Sequence, residues 1–354
     1  MKAQQDWKKL LKADPTDWLL ELDDPGVRYL TLRDIVEADE KEIRVARTKA
    51  HLEGPIARIL DNMTPEGYWI TPGLGYTPKF KSTVWSILSM AQLGASSEED
   101  KRIRIACDYL LDHALAKGGQ FTARKPPTDI GLCLQGNLLS SLPELGCKAT
   151  RLDTAFAWMA RRLTGENLPR KINADGLAPA EGVTGPFRYV KFIVNPLFGC
   201  RTNKGLSCGW AGVSVMMAFS RLPVSHRTAL INRAITSGVE FFFSVDPATA
   251  DFHDSKSGVP NIKWWQFKFP DFYVADILKL VEALTALGYG ADPRLANTLD
   301  LIRNKQDENG RWLLEYVDHS RKMWVNYGSE GKPNKWITLR AMRVLKRAEL
   351  QKIR

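Results

Sequence analysis

The feature that most constrains this chain is a helical period that stops repeatedly at Leu-Gly. Val84, Ile87, Leu88 and Ala91 recur three and four residues apart and end at Leu93-Gly94. Leu134, Leu138, Leu139 and Leu142 do the same before Leu145-Gly146, as do Ile277, Leu280, Val281, Leu284 and Leu287 before Gly288-Tyr289-Gly290. Apolar residues at this spacing share one face of an α-helix. A glycine just past the last turn takes the left-handed conformation that closes it. More highly charged helical stretches follow the less polar ones, over Glu99–Leu115, Thr150–Leu163, Arg227–Val245 and Asp292–Gln306. That alternation is what an inner and an outer layer of helices require. The less polar helices are expected to start near Asp24, Lys79, Pro127, Gly205, Pro270 and Lys332, which makes about six helical hairpins.

Strand-type patterns are scarce, so the expected fold class is all-α. We expect one domain over residues 1–354, with long inserts near 165–204 and 246–269. Inserts of that length in a compact domain are usually lids or binding segments. A second motif rides on the charged helices. Lys305-Gln306-Asp307-Glu308-Asn309-Gly310-Arg311-Trp312 is the fullest copy. Asn62-Met63-Thr64-Pro65-Glu66-Gly67-Tyr68-Trp69 is looser, and Lys117-Gly118-Gly119-Gln120-Phe121 looser still. Glycine, one residue, then an aromatic lets the chain turn and drop the ring onto the preceding helix end.

Gln306, Gly310 and Trp312 resemble the glutamine–tryptophan repeat of squalene–hopene cyclases. Helical hairpins with this tail are similar to the α/α toroid of terpenoid cyclases and protein prenyltransferase β subunits. The resemblance extends as architecture from about Asp24 to Lys346 and is specific only in the Lys305–Trp312 copy. It implies two rings of helices around a central cavity, and an enzyme acting there on a hydrophobic or aromatic small molecule. Two other architectures meet the same pattern, the (α/α)6 barrel of sugar-active enzymes and an open HEAT-type array. The Asp-x-Asp-Asp acid motif of class II terpene cyclases is missing. Glu21-Leu22-Asp23-Asp24 comes nearest, but Asp24-Pro25 reads as an N-cap and first helical residue. Also absent are the magnesium-binding Asp-Asp-x-x-Asp and the Asp-x-Cys of the prenyltransferase zinc site.

Cys133 starts the third less polar helix, Cys200 and Cys208 flank the start of the fourth, and His253 lies in the second insert. Three thiols and an imidazole are a tetrahedral set that zinc takes, so zinc is the expected cofactor if they converge. The alternative is that each cysteine is a small buried hydrophobe, and Cys107 and Cys147 are read that way. Five scattered cysteines are not a disulfide framework. Met1–Leu11 lacks the apolar stretch of a secretory signal, so a cytoplasmic location is expected.

In a toroid we expect the starts of the inner helices to face the cavity. That places Tyr29, Arg33, Lys81, Trp85, Trp210, Trp336 and Arg340 on its wall, with Trp264 added from the second insert. Lys79, Gln135, Asn137, Asp271 and Lys335 fall at the same level. Aromatic faces hold cations and flat rings, and interleaved basic groups favour a carboxylate or phosphate. Asp276 with Tyr273 is the candidate acid/base pair, given a carboxyl brought towards neutrality by burial. The net charge of +10 suits an anionic ligand. No nucleic-acid signature accompanies it, and Arg343, Lys346, Arg347, Lys352 and Arg354 read as a solvated helix end. No apolar run is long enough to span a membrane.

Three functions stay open. One is a toroid enzyme acting on a small hydrophobic or aromatic molecule with an anionic group, zinc-dependent if the thiol site forms. Another is a non-catalytic ligand- or peptide-binding toroid with structural zinc. The third is a carbohydrate-active barrel, which needs two opposed carboxylates.

Overall fold

The computed structural model describes residues 6–353 except 124–130, 148–149, 167–196, 204–205, 251–259 and 318–321. The helices in chain order are α1 (Thr16–Leu19), α2 (Pro25–Thr31), α3 (Glu40–Leu52), α4 (Gly54–Leu60), α5 (Thr83–Gln92), α6 (Lys101–Ala114), α7 (Leu132–Glu144), α8 (Arg151–Thr164), α9 (Gly209–Arg221), α10 (Ala229–Phe243), α11 (Ile277–Ala286), α12 (Ala296–Asn304) and α13 (Lys335–Lys352). Among the described residues the only sheet is one short antiparallel pair, β1 (Leu313–Leu314) with β2 (Lys332–Pro333). The fold class is all-α.

The helices stack as two rings. α5, α7, α9, α11 and α13 pack each on the next, and α13 packs back on α2. Leu30 of α2 sits against Gly94, just past α5, and completes the inner circle. α3 with α4, α6, α8, α10 and α12 lie outside, each on its inner partner, while the 3-10 turn Asp6–Leu10 covers α13. Burial follows the two layers. Every residue from Thr83 to Met90 of α5 is buried, whereas α6 buries one stripe, Ile103, Ala106, Cys107, Leu110, Leu111 and Ala114. The expected inner starts fall close to Pro25, Thr83, Leu132, Gly209, Ile277 and Lys335. Asp24, Asp276 and Asn334 cap three of them through the side chain.

Three glycine–aromatic tails, after α4, α6 and α12, tie an outer helix to the next inner one. The Trp312 indole donates to Ile302 O at 2.7 Å, and its backbone N–H donates to Thr338 Oγ1 of α13 at 3.0 Å. Trp69 repeats both bonds, to Ile59 O at 2.7 Å and Thr83 Oγ1 of α5 at 3.2 Å. In the loosest copy Phe121 N–H donates to Gln135 Oε1 of α7 at 2.9 Å. Gln306 also reaches the chain start, accepting from Lys12 N–H at 3.0 Å and donating to Leu10 O at 3.1 Å. Gly310 is required there, because a Cβ would lie 1.9 Å from Ala13 O. The motif therefore closes the ring.

One expectation is corrected. Cys107 of α6 and Cys147, just past α7, are joined in a disulfide across a sequence separation of 40. That separation is about one hairpin, so stacking of neighbouring hairpins brings the outer helix of one beside the turn of the next.

Candidate functional site

The inner helices enclose a cavity of about 850 Å³. All six contribute, mostly through their C-terminal halves: Tyr29 and Leu30, Leu88 and Gln92, Asn137 and Glu144, Met217 and Arg221, Lys279 and Glu282, Arg340 and Arg343. Helix C-termini carry the negative end of the peptide dipoles and unpaired carbonyls, which attract cations. The wall holds eight cationic side chains against five carboxylates.

Arg33, Glu37, Arg221 and Arg347 are exposed and mark the mouth. Asp34 pairs with Arg33 at 2.6 Å and with Arg343. Burial works to raise the Asp34 carboxyl, but these two guanidinium groups hold it down to about 2. Lys346 binds Glu37 at 2.6 Å and Asp34 O at 2.9 Å, and Arg221 binds Glu144 at 2.9 Å. Arg347 is different: among the described residues it makes no ion pair and no hydrogen bond. Burial, then the charge of Arg221, lowers its pKa against the opposing pull of Glu282 and Asp34.

At the floor Arg340 gathers three acids. Its Nη2 lies 2.8 Å from Asp271 Oδ2, 2.7 Å from Glu282 Oε2 and 3.8 Å from Asp276 Oδ1. Its Nη1 donates to Lys268 O at 2.8 Å. Gln92 clamps the Asp271 main chain, accepting from its N–H at 2.7 Å and donating to its carbonyl at 2.8 Å. Asp271 Oδ1 is buried without a hydrogen bond, its nearest cation being Lys268 Nζ at 3.9 Å. Lys279 Nζ donates to Asn137 Oδ1 at 2.9 Å, and burial lowers the pKa of this ammonium.

Of the residues singled out in the sequence, Tyr29, Arg33, Asn137, Asp271, Trp336 and Arg340 line the cavity. Asp276 does not. It is fully buried behind Asp271 and caps α11, accepting from Lys279 N–H at 2.8 Å and Lys268 N–H at 3.1 Å. Burial, then the charge of Asp271, raises its carboxyl to about 7. Tyr273 lies elsewhere, its hydroxyl 2.5 Å from that of Tyr76. Burial and that hydrogen bond raise its pKa. The two residues do not share a site.

The aromatic wall is also corrected. Trp85 packs among Tyr76, Phe80, Phe272 and Tyr273 at ring separations of 5.5, 5.2, 5.3 and 5.4 Å, as a plug at the N-terminal end of the ring. Its indole donates to Tyr76 O at 2.8 Å. Lys81 sits over Trp324, the Trp264 indole donates to Pro247 O, and Trp210 is half-buried in the first turn of α9. Only Tyr29, Phe269 and Trp336 bring rings to the cavity. The plug forms because Trp85 and the four rings around it are apolar and can interdigitate.

Cys133, Cys200 and Cys208 are free and half-buried. The neighbouring Cys208 holds the Cys200 thiol down to about 5, and Cys200, then burial, raises Cys208. Desolvation, then the charge of Cys200, pushes Cys133 up to about 12. His253 lies outside the described residues. Among the described residues no group of three or more His, Cys, Asp or Glu side chains is arranged to hold a metal ion.

Sequence reasoning missed Arg343, Arg347, Glu282 and Lys279. Their signal was spacing. Arg340, Arg343 and Arg347 stand at i, i+3 and i+7 of one helix and so share a face, which the reading of a solvated terminus passed over.

No protein-family model matches the chain, and no curated protein matches it. A solved type II terpene cyclase from Scytonema, in complex with merosterolic acid A as product, is similar over 87% of this chain and 99% of that one, at 11% identity and a TM-score of 0.29. No described helix is long and apolar enough to cross a membrane.

Proposed function

We propose that this toroid takes a small molecule bearing an anionic group into its central cavity and acts on it by acid–base chemistry at the floor. The observation that carries the reading is Arg347, a guanidinium at the mouth that makes no ion pair among the described residues and is held near Arg221 and Arg343. A cation held beside two others costs stability even where those two are paired, and an incoming carboxylate or phosphate relieves that cost through charge-assisted, bidentate hydrogen bonds. Tyr29, Phe269 and Trp336 supply the apolar surface for the rest of the molecule. Asp271 is the group for proton exchange, because Gln92 and Arg340 fix it while Oδ1 has no hydrogen bond. Asp276 stands behind it as an electrostatic partner.

Calorimetric titration of the whole chain with inorganic pyrophosphate and with an aryl carboxylate tests this. At least one probe is expected to bind, with affinity about tenfold weaker in Arg347→Ala, a loss of about 1.4 kcal/mol. No binding of either probe, or equal binding by the variant, sinks the reading. Asp271→Asn is expected to keep binding, since it leaves the guanidinium cluster intact.

A further inference from the structure

The floor of the cavity also holds an amine that proton exchange at Asp271 leaves unused. Lys279 lies in the first turn of α11 and lines the cavity while being only 6% exposed. Its Nζ donates to Asn137 Oδ1 of α7 at 2.9 Å and makes no ion pair among the described residues. The amide is fixed from its other side, where Asn137 Nδ2 donates to Phe272 O. An ammonium carries three donors, and here it meets one neutral acceptor. The acids that would ordinarily pair with it are engaged elsewhere. Asp271 Oδ2 and Glu282 Oε2 lie 2.8 and 2.7 Å from Arg340 Nη2. Asp276 accepts from the backbone N–H groups of Lys268 and Lys279. A guanidinium keeps its charge where an ammonium can lose it, so in this cluster the amine is the group that gives up a proton. Burial, helped by the charge of Arg340, outweighs the opposing charges of Asp271, Asp276 and Glu282 and favours the neutral form. A desolvated, neutral lysine is a nucleophile.

We propose that Lys279 forms an imine with an aldehyde or ketone that enters the cavity. For the far end of that molecule it rests on the anion site proposed at Arg347, and it adds the chemistry at the near end. The Nζ lone pair attacks the carbonyl carbon, a C–N bond forms, and the carbonyl π pair moves to oxygen. One proton passes from nitrogen to that oxygen by way of Asp271, whose Oδ1 is buried without a hydrogen bond. The second nitrogen proton follows the same route as the C–O bond breaks and the nitrogen pair closes the C=N bond. Both protons leave with the former carbonyl oxygen as water, so the step needs no oxidant or reductant. Tyr29, Phe269 and Trp336 give the carbon skeleton an apolar surface between the two ends.

The experiment is reductive trapping of the full-length protein with cyanoborohydride at neutral pH, followed by peptide mapping. The probes are para-carboxybenzaldehyde, which carries an anion, and benzaldehyde, which does not. Lys279 is expected to be modified by the anionic aldehyde at least about tenfold faster than the exposed Lys41 and Lys101. Benzoate, an anion without a carbonyl electrophile, is expected to slow that modification, and Lys279→Arg to lose the adduct. The parent protein with and without benzoate carries the test if the variant does not fold. Binding of pyrophosphate or an aryl carboxylate with Lys279 left unmodified, while surface lysines react, overturns the imine and leaves the anion site standing. Modification of Lys279 no faster than that of Lys41 and Lys101 overturns it too. Rapid modification of Lys279 by both aldehydes alike, unchanged in Arg347→Ala, supports the imine and removes the anion site instead.

Discussion

The two ends of the ring are built from the same helices and could hardly differ more. Near the starts of the inner helices Trp85 is wedged among four other rings. Along their C-terminal halves the same helices stand around an 850 Å³ cavity walled by arginine, lysine and acid side chains. α5 spans both, from Trp85 to Gln92. Helix polarity accounts for part of the contrast. At the starts, donors are satisfied by Asp24, Asp276 and Asn334 caps, which frees the remaining side chains to be apolar. At the ends the unpaired carbonyls call for cations, as when Lys346 donates to Asp34 O and Ile35 O at the end of the first hairpin's inner strand of helix. Polarity does not explain Arg347, which caps nothing.

The sharpest way to break the contrast is to remove one centre from each end. Arg340→Ala leaves buried Asp271 and half-buried Glu282 around a missing charge, and is expected to cost about 3–5 kcal/mol. Trp85→Ala empties the plug at a similar cost of about 3–5 kcal/mol. Denaturant unfolding measures both. The ends are independent if Trp85→Ala, studied where it is still folded, binds the anionic probes as the parent does. They are one cooperative site if it does not.

A smaller effect is expected where the ring closes tightly. A Cβ on Gly136 of α7 would lie 2.5 Å from the Ser214 carbonyl carbon of α9. Gly136→Ala must therefore push these two helices apart, at about 1–3 kcal/mol. A thermal melt unchanged from the parent would show that the contact is not rigid.

Acidity separates the floor from the mouth. Asp276 has a folded pKa of about 7 against an ordinary 3.8, so the folded state binds the extra proton between these values. Its contribution makes stability fall as pH rises through that window and level off above it. Asp34 runs the other way. With a folded value of about 2, it contributes stability above its ordinary 3.8 that is lost as pH falls towards the folded value. Urea unfolding across pH should therefore show Asp276→Asn flattening the slope below neutrality, and Asp34→Asn changing only the acid limb. Exchange of these two signatures would invert the assignment of floor and mouth.

Much of this architecture was legible in the chain. The Leu-Gly stops and apolar stripes marked the inner helices, and Gln306, Gly310 and Trp312 marked a tail that binds outer helix to inner. Tyr29, Arg33, Trp336 and Arg340 were placed on the cavity for the wrong reason, since it is formed mainly by helix ends rather than starts. Helical periodicity says which face is buried, but not whether a buried face meets side chains or an open cavity. That depends on ring radius, which no single helix records. Asp276 was legible as a perturbed acid and not as a cap whose oxygens are already engaged. The Cys107–Cys147 bond was hidden because the separation that joins them is a property of stacked hairpins.

The smallest stability effect discriminates best. Arg347→Ala removes a guanidinium that has no ion pair among the described residues, so stability should change by no more than about 0.5 kcal/mol. Arg347→Glu goes further, placing a carboxylate beside Arg221 and Arg343, which should stabilise the fold by up to about 1 kcal/mol at this exposed position. The same substitution should abolish binding of pyrophosphate and aryl carboxylate, since it fills the place of their negative charge. Stability rising while binding falls is the mark of a residue kept for a ligand at a cost to the fold. If both fall together, Arg347 belongs to the scaffold, and the charged end of the ring differs from the plugged end only in how its helix termini are satisfied.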